Sequence, residues 1–138
     1  MELKRVFITG VGVISGIGND VGAVAENLRT LKHGFSSFPV YPPFEDDPRN
    51  AVKLVSVPNG FEVDSLDSED WTYPDRYKIR REELRGLAPH GVYVYCAMKQ
   101  AIEDASLSDL DVSNSETGIY TASAGSTRMI YNLSLIHI

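Results

Sequence analysis

The stretch Arg5–Asp20, RVFITGVGVISGIGND, decides how the rest of the chain is read. A short apolar run, Val6 to Ile8, leads into a loop carrying Gly10, Gly12, Gly16 and Gly18, and Asn19–Asp20 then supply helix-capping side chains. Apolar run, glycine loop and helix start are the opening of an α/β unit, so the fold class expected is α/β. The first strand is expected over about Lys4–Thr9. Asn19 or Asp20 can cap the first helix by accepting its orphan backbone N–H groups. Val21, Val24, Ala25, Leu28 and Leu31 follow as one apolar stripe at a 3.6-residue period, and Gly34 is placed to stop that helix.

Two chemistries begin with such a block, and spacing separates them. A dinucleotide fingerprint, G-x-G-x-x-G, brings a pyrophosphate against the backbone at a helix N-terminus. Gly10 and Gly12 meet its first two positions, but the third is Ser15. The short-chain dehydrogenase variant starts at Thr9-Gly10 and needs its next glycine where Ile14 stands. The acid that would hold a ribose about 20 residues on is missing, since Lys32, His33 and Ser36 occupy that region. A Rossmann NAD(P) oxidoreductase is therefore the remote alternative, and no cofactor is expected.

Further along, Pro39, Pro42, Pro43, Pro48, Pro58 and Pro74 exclude a long helix between Phe35 and Tyr77, with room for one short strand over Val52–Val57. Residues 41–75 hold nine acids against Arg49 and Lys53 and read as a solvated surface excursion. The sign then reverses at Arg76, Lys78, Arg80, Arg81 and Arg85. Pro89, tolerated in a first helical turn, precedes Gly91–Ala105, a helix whose half from Val92 to Met98 is apolar on every side and expected to be buried all round. Cys96 lies inside that half, where an apolar setting raises a thiol's pKa and makes it inert. Thr117–Ser123 reads as a second core strand, ended by the small-residue turn Ala124-Gly125-Ser126.

At 138 residues the chain suffices for one domain with a core. Its net charge of −6 argues against nucleic acid or an anionic membrane as the main partner. No apolar run reaches the ~18 residues of a membrane span, and the N-terminus lacks the apolar stretch of a signal peptide. With one cysteine no internal disulfide forms, which fits a cytoplasmic protein. His33, His90 and His137 show no metal-ligand spacing, so no metal site is expected.

Three blocks, in order, carry a resemblance. ITGVGVISGIGND resembles the opening I-T-G-x-G-x-x-[ST]-x-x-G-N of the β-ketoacyl-[acyl-carrier-protein] synthases, matched at Ile8, Thr9, Gly10, Gly12, Ser15, Gly18 and Asn19. AMKQAIEDASL, Ala97–Leu107, is similar to the family's long helix ending in A-x-x-D-[AS]-G-L, with Ser106 in the usual glycine position. TGIYTASAGS, Thr117–Ser126, is similar to its strand and small-residue turn. The stretch 35–77 departs from common members and points to a divergent subgroup.

The resemblance implies a partial thiolase-like fold, the first part of the N-terminal half of an α/β/α/β/α layered structure. It implies decarboxylative Claisen condensation of malonyl-carrier protein with an enzyme-bound acyl thioester, in fatty acid or polyketide synthesis. That chemistry needs an activated cysteine and two histidines. The family places them beyond the strand at 117–123, so no catalytic residue is assigned in this chain. The partners implied are acyl carrier protein and its acyl and malonyl thioesters, with a homodimer for the full-length protein. Arg81 and Arg85 fall where relatives place basic residues that dock the carrier protein, and Ala124 and Gly125 match a turn near the acyl pocket and dimer interface. Some relatives lack the cysteine and act as partner subunits that shape chain length, which is the alternative of another class.

Residues 1–132 are thus read as a partial synthase N-terminal domain. The last six, Leu133–Ile138 (LSLIHI), are what CTG TCT CTT ATA CAC ATC would encode, a string similar to the transposon mosaic end of sequencing libraries. They are expected to be a non-native tail from adapter read-through, which a different codon string at these positions would refute.

Overall fold

The computed structural model describes residues 5–37, 54–63, 65 and 67–123. Among these, helix α1 (Val21–Arg29) is followed by two short strands, two 3-10 turns, Ser68–Asp70 and Asp75–Tyr77, and helices α2 (Arg81–Arg85), α3 (Pro89–Asp104) and α4 (Asp109–Val112). Strands β1 (Phe35–Ser37) and β2 (Leu54–Ser56) pair antiparallel, with Ser36 opposite Val55. Helices and a small sheet in one chain agree with the α/β class.

The core is built on α3. Pro89 occupies its first turn, where a missing N–H costs nothing, and Val92, Cys96 and Gln100 form a buried stripe at i, i+4, i+8. Against the stripe pack Phe61, Val63, Trp71, Tyr77, Ile79 and Leu84. The rings of Phe61 and Tyr93 meet edge-on, with centroids 5.1 Å apart. All-round burial of Val92–Met98 is not what forms, because Val94 faces out and Tyr93, Tyr95, Ala97 and Met98 are only partly buried.

The acidic excursion is also corrected over residues 61–75. Phe61, Val63 and Trp71 alternate with the exposed Glu62 and Thr72, and reciprocal backbone bonds of 2.9 Å between Glu62 and Thr72 clamp the two runs together. One face of this segment is core and the other carries the acids. Counting charge along the sequence averaged the two faces and concealed the inner one.

The glycine loop lies on α3. A Cβ on Gly12 would overlap the Ala97 carbonyl, and one on Gly10 would sit 2.8 Å from the Ala105 Cβ, so only glycine lets this backbone approach the helix so closely. Val11 N–H donates to the Asp104 carboxylate at 2.9 Å and Val13 N–H to Gln100 Oε1 at 3.1 Å. Ser15 and Gly18 then exchange backbone bonds of 2.9 and 3.1 Å across a tight turn.

Asp20 caps α1, accepting from Ala23 N–H at 2.7 Å. The helix ends before Gly34. Leu31 takes the left-handed conformation (φ 56°), while Lys32 N–H bonds the Asn27 carbonyl and Leu31 N–H that of Leu28. These paired bonds close the helix without a glycine. Gly34 serves packing instead, since a Cβ there would overlap the Gly16 carbonyl.

The strands expected over Lys4–Thr9 and Thr117–Ser123 do not form among the described residues. A strand exists only as a hydrogen-bonded pair, and neither 5–9 nor 117–122 is paired in a ladder there. Val6 and Tyr120 remain 91% and 97% exposed.

Candidate functional site

The basic segment is organised by its buried members, Tyr77, Ile79 and Leu84. These enter the core, and α2 follows from Arg80, whose N–H and guanidinium both close on Glu83 (Nε to Oε1, 3.0 Å). Hydrogen bonding from Arg80 holds the Glu83 carboxyl below its usual range. Burying Leu84 turns Arg81 and Arg85, four residues apart, to the same outer face.

A single carboxylate stands before them. Arg81 Nη2 lies 3.2 Å from Glu69 Oε2 and Arg85 Nη2 lies 2.7 Å from Glu69 Oε1. Glu69 is held there by the turn that carries it. Asp67 accepts from Glu69 N–H at 2.9 Å, and buried Trp71 donates its indole N–H to the Ser65 carbonyl at 2.8 Å. The structure therefore brings together the two arginines singled out from the sequence, and adds Glu69, which sequence reading missed. Among the other basic residues, Arg76 is turned inward, donating to the Asn19 carbonyl and the Tyr77 hydroxyl.

Behind this face lies a polar hub that the sequence reading also missed. Gln100 Nε2 donates to the Tyr77 hydroxyl at 2.6 Å and to the Asn19 carbonyl at 2.7 Å, while its Oε1 accepts from Val13. One buried amide thus ties the glycine loop, the 3-10 turn at 75–77 and α3. Its signal was available: Gln100 continues the i+4 series of Val92 and Cys96.

On the opposite flank of α3, a cleft of about 340 Å³ opens between His90, Val94 and Met98 and residues Thr121–Ser123. Its lining is mostly apolar, and His90 Nδ1 is buried without a hydrogen-bond partner among the described residues. Ala124 and Gly125, expected at an acyl pocket or dimer interface, lie outside the described residues.

Cys96 is fully buried, and desolvation pushes its thiol up to about 11. At neutral pH almost none is thiolate, so it is no nucleophile. Among the described residues no group of three or more His, Cys, Asp or Glu side chains is placed to hold a metal, and no helix is long and apolar enough to cross a membrane.

The family model described as Beta-ketoacyl synthase, N-terminal domain, covers residues 3–135, and the chain belongs to that family. Among curated proteins it is 35% identical over 118 residues to 3-oxoacyl-[acyl-carrier-protein] synthase 1 of Haemophilus influenzae, covering 85% of this chain and 25% of that protein. The synthase of the same name from Buchnera aphidicola is 32% identical over 132 residues, 94% of this chain and 28% of the relative. That from Escherichia coli K12 is 27% identical over 124 residues, 89% and 26%. The chain spans about a quarter of the length of these relatives. No solved structure matches it significantly.

Proposed function

We propose that this chain is the N-terminal part of a 3-oxoacyl-[acyl-carrier-protein] synthase with a thiolase-like fold, acting in the cytoplasm in fatty acid synthesis and dimeric when complete. The observation that carries this is the match of most of the chain to proteins of that name. In the reaction, loss of CO2 from a malonyl thioester leaves a carbanion that attacks an acyl thioester carbonyl and expels the enzyme's thiolate. The resemblance places the nucleophile and the oxyanion-stabilising histidines beyond residue 123, in sequence outside this chain, and Cys96 is no substitute. The chain alone is accordingly inactive.

Arg81 and Arg85 are proposed to dock the acidic carrier protein, with Ala124 and Gly125 beside the acyl pocket or dimer interface. Electrostatic docking acts mostly on association rate and weakens in salt. In the protein of the complete gene, Arg81→Glu with Arg85→Glu should weaken carrier-protein binding roughly tenfold or more at low salt. Unchanged affinity, measured by fluorescence anisotropy, would reject the docking assignment. Sequencing the gene past codon 132 tests the activity itself. A cysteine at the family's nucleophile position, with 3-oxoacyl product and CO2 formed together, supports a synthase. Its absence makes the protein a non-catalytic partner subunit.

A further inference from the structure

Glu69 occupies the place that an acidic partner would take. Its two carboxylate oxygens are shared between two guanidiniums, at 3.2 and 2.7 Å, so Arg81 and Arg85 already converge on one anion. The arginine side chains are 76% and 65% exposed, leaving most of their donors open to solvent. Two positive charges against one leave the fork electropositive. Exposed ion pairs of this kind hold weakly, so a competing anion with several carboxylates can displace a single one.

We propose that the Arg81–Arg85 fork is an anion site closed by Glu69, and that carboxylates on the acidic face of the carrier protein replace Glu69 on docking. The inference rests on the docking reading above and adds an internal competitor to it. The capped turn and buried Trp71 fix the Glu69 backbone, so the exchange is a rotation of its side chain with the segment left in place. Arg80 stays committed to Glu83 at 2.6 Å and does not join the exchange. Glu69 thereby sets how tightly the carrier is held, favouring a partner that presents several carboxylates over an isolated one.

The test uses the protein of the complete gene and purified acyl carrier protein, at about 25 mM and about 500 mM salt. Glu69→Gln keeps the side chain's shape and removes the competing charge. It should tighten binding roughly three- to tenfold at low salt and not at high salt. Glu82→Gln removes the same charge from an exposed position of α2 outside the fork, and should change affinity less than about twofold. If Glu69→Gln binds no tighter than Glu82→Gln while the double arginine reversal still weakens binding, the competitor role is wrong and docking stands. If the arginine reversal has no effect, the docking reading falls, and the inference with it.

Discussion

Ser106 closes α3 in a backbone conformation better suited to glycine. Its φ is 53°, in the left-handed region, and the closing bonds run from Leu107 N–H to Ile102 and from Ser106 N–H to Glu103. This is the same cap that Leu31 makes for α1. A Cβ in that region costs roughly 1–2 kcal/mol, of which glycine's greater freedom in the unfolded chain returns part. Ser106 is exposed, so removing its side chain sacrifices no packing. Ser106→Gly should therefore stabilise the chain by about 0.5–1 kcal/mol, a few degrees in melting temperature for a domain of this size. A melt unchanged or lowered would show that the serine hydroxyl contributes something the backbone geometry does not reveal. The serine was legible in the sequence as a departure from the family's usual glycine, whereas its conformational cost required φ.

At the scale of the element, α3 joined to the glycine loop is the unit that the chain specifies most strongly. Much of it was readable in advance. The four glycines, the Asp20 cap, the Pro89 start and the buried thiol all express local rules, and the structure has each where its residue type demands. What was not readable depends on contacts distant in sequence. Glu69 lies 12 and 16 residues from its arginines, and Gln100 lies 81 from the Asn19 carbonyl it bonds. The inner face of residues 61–75 was obscured by acids alternating with aromatics. The hub gives this unit a test. Gln100→Leu keeps the volume and strips the acceptor from Val13 N–H. The Asn19 carbonyl and the Tyr77 hydroxyl retain Arg76 as donor, so one backbone N–H is the principal casualty. Stability should fall by about 1–2 kcal/mol in urea at constant m-value, against less than about 0.5 for the exposed neighbour Lys99→Ala. Equal effects from the two variants would mean that the hub does not hold the loop.

Considered whole, the molecule has a compact centre and unfinished edges. The buried cluster draws on residues 61 to 96, with Gln100 closing it, and leaves both flanking apolar runs open. Ile8 is 88% exposed and Ile119 68%, each outside any helix or strand among the described residues. Unpaired N–H and C=O groups beside β-branched side chains form a template for strand addition, and large apolar patches favour association. On the proposed layered fold, such edges are where further strands would pair. Two measurements follow for the polypeptide as it stands. Amide hydrogens of 5–9 and 118–122 should exchange nearly as fast as in an unfolded chain, while those of Val92–Gln100 are protected. The chain should also self-associate as concentration rises, and Ile8→Lys with Ile119→Lys should suppress this in sedimentation without loosening protection in α3. Protection across 5–9 in the dilute monomer, or association indifferent to the two lysines, would show that these runs already have partners and that the fold closes by itself.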